Sequence, residues 1–159
     1  MRDVFRILEQ DARTSPEKIA AMTGLPAEEV RRIIGAAEQD RTILKYKTMV
    51  NWEKVGEPQV WALIQVKVLP QRDVGFDAVA ERIYRFPETH SVWLVSGEYD
   101  LAITIAGADI YEISRFVSGK LSTIEGVHGT VTNFLLKRYK EDGEILFEKE
   151  ESRRQPLAP

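Results

Sequence analysis

Hydrophobic residues recur at two different spacings along the chain, and the spacing changes near residue 60. In the first part the apolar positions follow the three-to-four-residue repeat of amphipathic helices, as Val4, Ile7 and Leu8 show. Beyond residue 60, apolar runs of strand length, rich in β-branched residues, alternate with helical patterns. The pattern therefore predicts two domains, the first helical and the second of mixed α and β structure.

Start and stop signals divide the first domain into three helices, over residues 2–10, 16–22 and 26–38. Ser15 and Pro16 form a typical helix start, and Gly24 suits the left-handed cap that ends the second helix. Two helices joined by a tight glycine turn predict a helix-turn-helix. The strand-like residues 43–50, ILKYKTMV, predict a β wing after it.

The second domain follows the order β-α-β-β-α-β, which is the pattern of a ferredoxin-like split unit. Strands are predicted over 60–69, 89–95, 100–106 and 127–139, helices over 73–85 and 109–121, and a further edge strand over 144–149. The strands of the central hairpin are apolar at nearly every position, so both of their faces are predicted to be covered. Because two helices cover only one side of such a sheet, we expect the domain to oligomerise.

The predicted fold class is therefore α+β, with an N-terminal winged helix-turn-helix joined to a C-terminal ferredoxin-like domain. Gly56 and Pro58 are breakers that mark a linker between them. The predicted boundaries are 1–50 for the first domain, 51–59 for the linker, 60–149 for the second domain and 150–159 for a polar tail.

Composition narrows the chemistry that the chain can support. It has no cysteine, and its two histidines, His90 and His128, are too few for an all-imidazole zinc site, so we expect no metal and no cofactor. The charged N-terminus is unlike a signal peptide and no apolar run reaches the length of a membrane span, which predicts a cytoplasmic protein. Residues 1–56 hold ten basic and nine acidic residues, against twelve and sixteen in the remainder, so contact with nucleic acid fits the first part better.

Three groups of residues occur in the order and spacing of a known family. The hairpin holds Gly97-Glu98-Tyr99-Asp100, and the last strand opens with Gly126-Val127-x-x-Thr130-x-Thr132. The N-terminal group consists of Asp3, Ile7-Leu8, Asp11, Arg13, Ser15, Ala20, Gly24-Leu25, Glu38, Ile43 and Tyr46. With these motifs, about residues 3–147 resemble the Lrp/AsnC family of amino-acid-responsive transcription regulators. The resemblance implies a homodimer or larger homo-oligomer that binds double-stranded DNA and a small-molecule effector, an amino acid.

The resemblance also implies that the third helix and the wing contact DNA. Candidate phosphate contacts are Arg31, Arg32, Arg41, Lys45 and Lys47, while Glu28, Glu29 and Arg31 lie nearest the bases. The chain departs from the family at Pro26-Ala27-Glu28-Glu29, where serine and then polar or basic residues are usual, and at Ile33, which is often basic. Phosphates repel carboxylates, although glutamate can accept a hydrogen bond from cytosine. We therefore expect weak non-specific binding, and an ordinary solvated helix face is the alternative interpretation of these charges.

The candidate effector-binding residues are Gly97, Tyr99, Asp100, Thr130 and Thr132. The ammonium of an amino acid suits the Asp100 carboxylate, and its carboxylate suits the hydroxyls of Thr130 and Thr132, which are two apart on a strand and face the same way. The simpler interpretation is that Gly97 makes a turn, Asp100 caps it, and the threonines reflect β propensity. The resemblance implies a pocket between dimers, so Asp100 binds an effector only where the threonines close the same pocket.

The predicted function is a DNA-binding transcriptional regulator, not an enzyme, whose second domain oligomerises and senses a small molecule. One alternative is an enzyme, because sirohaem decarboxylase subunits resemble the same two-domain layout. That chemistry requires basic residues and histidines around a tetrapyrrole carboxylate, and the chain has only two histidines. The other alternative is a regulator whose second domain serves assembly only.

Overall fold

The chain divides by its internal contacts into two units, Met1–Val50 and Asn51–Pro159, each with its own hydrophobic core. The structure is a computed structural model that describes residues 1–69 and 75–146. In this described part, none of the helices is long and apolar enough to cross a membrane. Nor does that part hold a group of three or more histidine, aspartate or glutamate side chains placed to bind a metal ion.

Three helices build the first unit: α1 (Arg2–Gln10), α2 (Pro16–Thr23) and α3 (Ala27–Gln39). Each lies within one residue of its prediction, and both predicted signals around α2 are confirmed. The Ser15 hydroxyl accepts a hydrogen bond from the Lys18 N–H at 3.2 Å, and α2 ends at Gly24 with a left-handed φ of 72°, which glycine adopts without strain. The apolar faces of the helices meet in a core of Val4, Leu8, Ile19, Val30 and Ile33.

Residues 43–50 form neither helix nor strand, so the predicted β wing is wrong. Ile43 is tied to α3, because its backbone N–H donates to the Ala37 carbonyl at 2.8 Å and its side chain packs on the core. The next residue, Leu44, is 76% exposed. A strand requires a second strand to accept its hydrogen bonds, and the described structure of the first unit contains no other strand. Strand-like composition alone therefore does not produce a wing.

The second unit begins with a short helix, α4 (Trp52–Val55), which lies inside the predicted linker. The chain continues as β1 (Val60–Val68), α5 (Asp77–Tyr84), β2 (Thr89–Leu94), β3 (Leu101–Gly107), α6 (Ile110–Gly119) and β4 (Val127–Leu135). The four strands form one antiparallel sheet in the order β2-β3-β1-β4. The predicted β-α-β-β-α-β order is confirmed, although the predicted helix start at residue 73 lies outside the described residues.

Helices α5 and α6 cover one face of this sheet. Every second residue of β1 from Ala62 to Val68 is buried, because side chains alternate between the two faces of a strand. The core beneath the helices also includes Leu101, Ile103 and Ile105 of β3, Val79 and Ile83 of α5, and Ile113 and Phe116 of α6. Gly126, just before β4, has a φ of 94°, and a Cβ there would lie 2.9 Å from Val79 Cγ2, so glycine is required where the strand passes α5.

The chain after β4 differs from the prediction. The last strand ends at Leu135 rather than at residue 139, and two short strands, β5 (Lys140–Glu141) and β6 (Glu144–Ile145), pair with each other instead of joining the sheet. Asp142 and Gly143 have φ values of 48° and 87°, the backbone of a tight hairpin turn that joins these two strands. Within the described residues, the predicted edge strand is seen at Glu144–Ile145, in a separate hairpin. Its residues 147–149, and the tail 150–159, lie outside the described residues.

Candidate functional site

Four of the predicted DNA contacts lie on the exposed side of α3, where they bond to carboxylates or guanidinium groups. The Arg31 guanidinium donates through Nη1 to Glu28 and through Nη2 to Glu17, in the first turn of α2. Arg32 donates through Nε and Nη2 to Glu29, with Nε 3.2 Å from Oε2. The structure thus brings the four predicted residues together as paired charges rather than as a free cationic surface.

Glu17 is the residue of this surface that sequence reasoning missed. Its partner Arg31 is 14 positions away on the next helix, so no local spacing signals the pair. A hydrogen bond from its own backbone N–H lowers the pKa of Glu17, and hydrogen bonds from Ser15 and then Arg31 lower this pKa further. The hydrogen bond from Arg32 likewise lowers the pKa of Glu29. Both carboxyl groups are therefore ionised at neutral pH.

The other three predicted DNA contacts, Arg41, Lys45 and Lys47, follow α3 in the chain. Arg41 lies in the turn after the helix, with a left-handed φ of 63°. Lys45 and Lys47 are exposed and line a groove of about 710 Å³, whose opposite wall includes Phe5 and Glu9 of α1. These three cations therefore lie outside the α3 side chains that pair with one another.

Asp100 immediately precedes β3 and bonds to the backbone of β1. Its Oδ2 accepts a hydrogen bond from the Val68 N–H at 2.8 Å and lies 3.5 Å from Lys67 Nζ. The register between β1 and β4 shifts between Lys67 and Val68. The carboxylate therefore accepts a hydrogen bond from an N–H at the point where the strand pairing is irregular. Lys67 Nζ also donates to the Glu98 carbonyl at 2.7 Å. The 18% exposed Asp100 side chain therefore stabilises the hairpin, whatever else it binds.

Thr130 and Thr132 face the opposite side of the sheet from Asp100. Across the β1–β4 ladder they pair with Val66 and Ile64, both of which are buried under the helices. Paired residues share a face, so the two threonines face the same way, as predicted. Asp100 precedes a buried residue of β3, and alternation therefore directs it to the other face. A single chain does not bring the carboxylate and the two hydroxyls into one pocket.

Gly97 and Tyr99 lie in the turn between β2 and β3. Gly97 is exposed with a φ of 152°, and a Cβ at this position would meet no atom within 4 Å. Tyr99 is half-buried. The space beside Gly97 is therefore open to a ligand or to another chain.

The face of the sheet away from the helices is open and exposes several large apolar side chains. Strand alternation and pairing place on it Trp61, Leu63, Trp93, Val131 and Leu135. Trp93 is 48% and Val131 39% exposed. The Trp61 and His90 rings pack with their centroids 4.6 Å apart, and the buried Trp61 Nε1 donates no hydrogen bond within the described structure. The prediction that both faces are covered is not met within one chain.

The second unit matches the sequence model of one protein family. The model is that of the Lrp/AsnC ligand binding domain, and the match spans residues 61–145, more than half of the chain. The chain belongs to the Lrp/AsnC family. The family predicted from the motifs is thus confirmed. Because its relatives are HTH-type transcriptional regulators, this Lrp/AsnC protein is a regulator and not an enzyme.

Individual Lrp/AsnC proteins extend this match to the whole chain. The uncharacterised HTH-type transcriptional regulator YugG of Bacillus subtilis is 46% identical over 158 residues, covering 99% of this chain and 95% of that protein. The leucine response regulatory protein LrpA of Mycobacterium tuberculosis aligns with a TM-score of 0.74 and 21% identity, covering 91% of this chain and 96% of that one. A transcriptional regulator of Neisseria meningitidis, solved as a complex with L-methionine, aligns with a TM-score of 0.70 and 22% identity. This alignment covers 87% of this chain and 89% of that one. The two structural alignments show a shared fold.

Proposed function

We propose that this Lrp/AsnC regulator binds double-stranded DNA through its first unit and responds to a small molecule, an amino acid, through its second. The observation that carries the proposal is the pair α2 and α3, which are separated by a short turn at Gly24 and expose charged side chains along α3. A charged helix after such a turn is the element that enters the major groove in helix-turn-helix proteins. The proposal includes a cytoplasmic location, where a bacterial or archaeal regulator meets DNA.

Within this proposal the contacts to DNA divide into two groups. The exposed cations after α3, Arg41, Lys45 and Lys47, bind phosphates, which supply most of the sequence-independent affinity. Arg31, with Glu28 and Glu29, lies nearest the base edges, and Arg32 reaches a phosphate by leaving Glu29. Because both arginines of α3 already bond to carboxylates, their contribution to non-specific binding is small.

The open sheet face supports assembly into a homodimer or a larger homo-oligomer. Aromatic and aliphatic side chains such as Trp93 and Val131 stay in contact with water in a single chain. Large apolar side chains exposed on one face are typical of interfaces, and a second copy supplies a matching surface. The proposal is therefore a dimer in which two sheets cover each other's open faces.

The effector site in this proposal is shared between chains. Within one chain Asp100 and the pair Thr130 and Thr132 face opposite sides of the sheet, so an amino acid that contacts both groups requires two chains. We assign the ammonium to Asp100 and the carboxylate to the threonines, with Gly97 and Tyr99 beside the ligand. The complex of the Neisseria relative with L-methionine supports an amino acid as the ligand class.

A regulator whose second unit serves assembly only is the second candidate. Asp100 already accepts a hydrogen bond from the Val68 N–H and lies near Lys67 Nζ, so an effector ammonium must share or displace these partners. This observation favours the simpler interpretation of Asp100, in which the carboxylate is structural.

Selection of bound sites from a random DNA pool, with and without a mixture of the natural amino acids, tests the proposed function. We expect enrichment of a defined site and a change in its recovery when the amino acids are present. Enrichment that no amino acid alters supports the assembly-only regulator. Recovery of no site under either condition contradicts DNA binding itself.

A further inference from the structure

Arg31 is shared between two helices on the surface of the first unit. One guanidinium nitrogen bonds to Glu28, three residues earlier on α3, and another bonds to Glu17 on α2. A planar guanidinium held at two nitrogens by two carboxylates is fixed in both position and orientation. Its side chain nevertheless remains 45% exposed. Arg31 is therefore an accessible side chain whose direction is set by its two carboxylate partners.

Glu17, Glu28, Glu29, Arg31 and Arg32 together form what we call the α2–α3 charge cluster. It contains three carboxylates and two guanidinium groups, so its formal charge is negative although it lies on the helix proposed to meet DNA. Non-specific DNA binding depends on cations that replace the counterions of phosphates. Each arginine of the cluster must break its bond to a nearby carboxylate before it can contact a phosphate. The cluster therefore suppresses binding to DNA of arbitrary sequence.

The same bonds leave Arg31 able to read a base. Each terminal guanidinium nitrogen carries two N–H groups, and the bonds to Glu28 and Glu17 use one on each nitrogen. When the remaining two point the same way, they can make the bidentate contact with guanine O6 and N7, which is the commonest specific contact of arginine in the major groove.

We propose that Glu17 is a specificity-determining residue: with Glu28 it holds Arg31 in place and keeps its charge from phosphates, so that the protein discriminates between DNA sequences. This inference rests on the proposed DNA binding by α3. It extends that function to a residue of α2 whose own side chain is not assigned to the DNA. A merely structural Glu17 would only join α2 to α3, and an exposed ion pair contributes little to folding stability.

The experiment compares Glu17→Gln with Asp3→Asn in the full chain. Both variants remove one negative charge from the first unit, but Asp3 lies on α1, outside the charge cluster and outside the groove that Lys45 and Lys47 line. Affinity is measured for a selected site and for a random duplex of equal length over a series of salt concentrations. We expect Glu17→Gln to bind the random duplex about three- to eightfold more tightly, with a salt slope steeper by about 0.9, the value of one added phosphate contact. The selected site changes less, so the ratio of the two affinities falls.

Two further variants separate the role of the charge from that of the fold. Glu17→Asp keeps the charge, and we expect a salt slope close to that of the wild type. Arg31→Lys keeps the cation but cannot bond two carboxylates as a planar fork, so it should lose more affinity for the selected site than for the random duplex.

A Glu17→Gln protein whose affinity ratio and salt slope match those of Asp3→Asn overturns the inference and leaves the proposed function standing. Equal weakening of both duplexes by Arg31→Lys overturns it in the same way, including when Glu17→Gln does not fold. A wild-type protein that binds neither duplex overturns the proposed function, and the inference with it.

Discussion

The two units differ in the side chains that they expose to water. On α2 and α3, exposed charges pair with one another, whereas the open sheet face of the second unit leaves Trp93 and Val131 in water. Exposed ion pairs contribute little to stability and exchange readily for a new partner. Burial of apolar surface is favourable by about 25 cal/mol of free energy for each Å² that another surface covers. The comparison indicates a first unit suited to reversible, salt-dependent contacts and a second unit suited to lasting association.

A charge placed on the open sheet face should have the largest effect. We expect Val131→Asp to convert the assembled protein to single chains of 18.2 kDa, because the new carboxylate would be buried without a partner at the interface. Light scattering or sedimentation measures the mass. Tyr111→Asp is the matched control, since Tyr111 is 69% exposed on α6, on the helix side of the sheet, and this variant should keep the dimer. Assembly that survives Val131→Asp would show that the dimer forms through another surface.

Removal of the Asp100 carboxylate should have the next largest effect. Asp100→Ala leaves the Val68 N–H without its acceptor, and we expect a loss of about 1–3 kcal/mol in the free energy of unfolding, measured with urea. Asp100→Asn retains an acceptor oxygen and loses the charge near Lys67, so its loss should be smaller. Two variants as stable as the wild type would show that the hairpin does not depend on this carboxylate.

Removal of a basic residue from the first unit should have a moderate effect on DNA binding. We expect Lys47→Ala to weaken binding to all sequences and to reduce the salt slope by about 1. Arg32→Ala should do the same to a smaller extent, because Arg32 must leave Glu29 before it contacts a phosphate. Lys54→Ala, in the short helix α4 of the second unit, is the control and should leave the slope unchanged. A wild-type slope in both test variants would remove Arg32 and Lys47 from the phosphate contacts.

The smallest expected effect concerns the pH dependence of the Arg32–Glu29 pair. The hydrogen bond from Arg32 lowers the pKa of Glu29 below its ordinary value of 4.5, so the pair stabilises the fold above that pH and the contribution is lost as the pH falls through the lowered pKa. The unfolding temperature of Glu29→Gln should therefore lie slightly below that of the wild type at neutral pH, and the two temperatures should converge in acid. A difference that persists at the lowest pH would argue against the ion pair as its cause.

Much of the fold could be predicted because its signals are local. The Ser15–Pro16 start and the Gly24 cap mark α2 within a few residues of chain, and the switch from helical to strand spacing marks the second unit. The wing could not be predicted correctly, because strand formation depends on a partner that composition does not reveal. The short β5–β6 hairpin has a local signal in Asp142-Gly143, a typical turn pair.

Prediction of the candidate site required more long-range geometry than prediction of the fold. The sequence indicates that Thr130 and Thr132 share a face, since that follows from the two-residue period of a strand. That Asp100 faces the other side depends on how β1 pairs with β3 and β4, and on the register shift beside Val68. The bond between Glu17 and Arg31 likewise depends on how α2 packs against α3.

An amino acid bound to the second unit should alter DNA binding by the first. The most direct measurement is the affinity of the full-length protein for its selected site, titrated with each natural amino acid in turn. We predict that at least one amino acid changes this affinity by about fivefold or more, the usual range of allosteric coupling, and that Thr132→Val abolishes the change. An affinity that no amino acid alters, in a protein that binds its site, would contradict regulation by an amino acid.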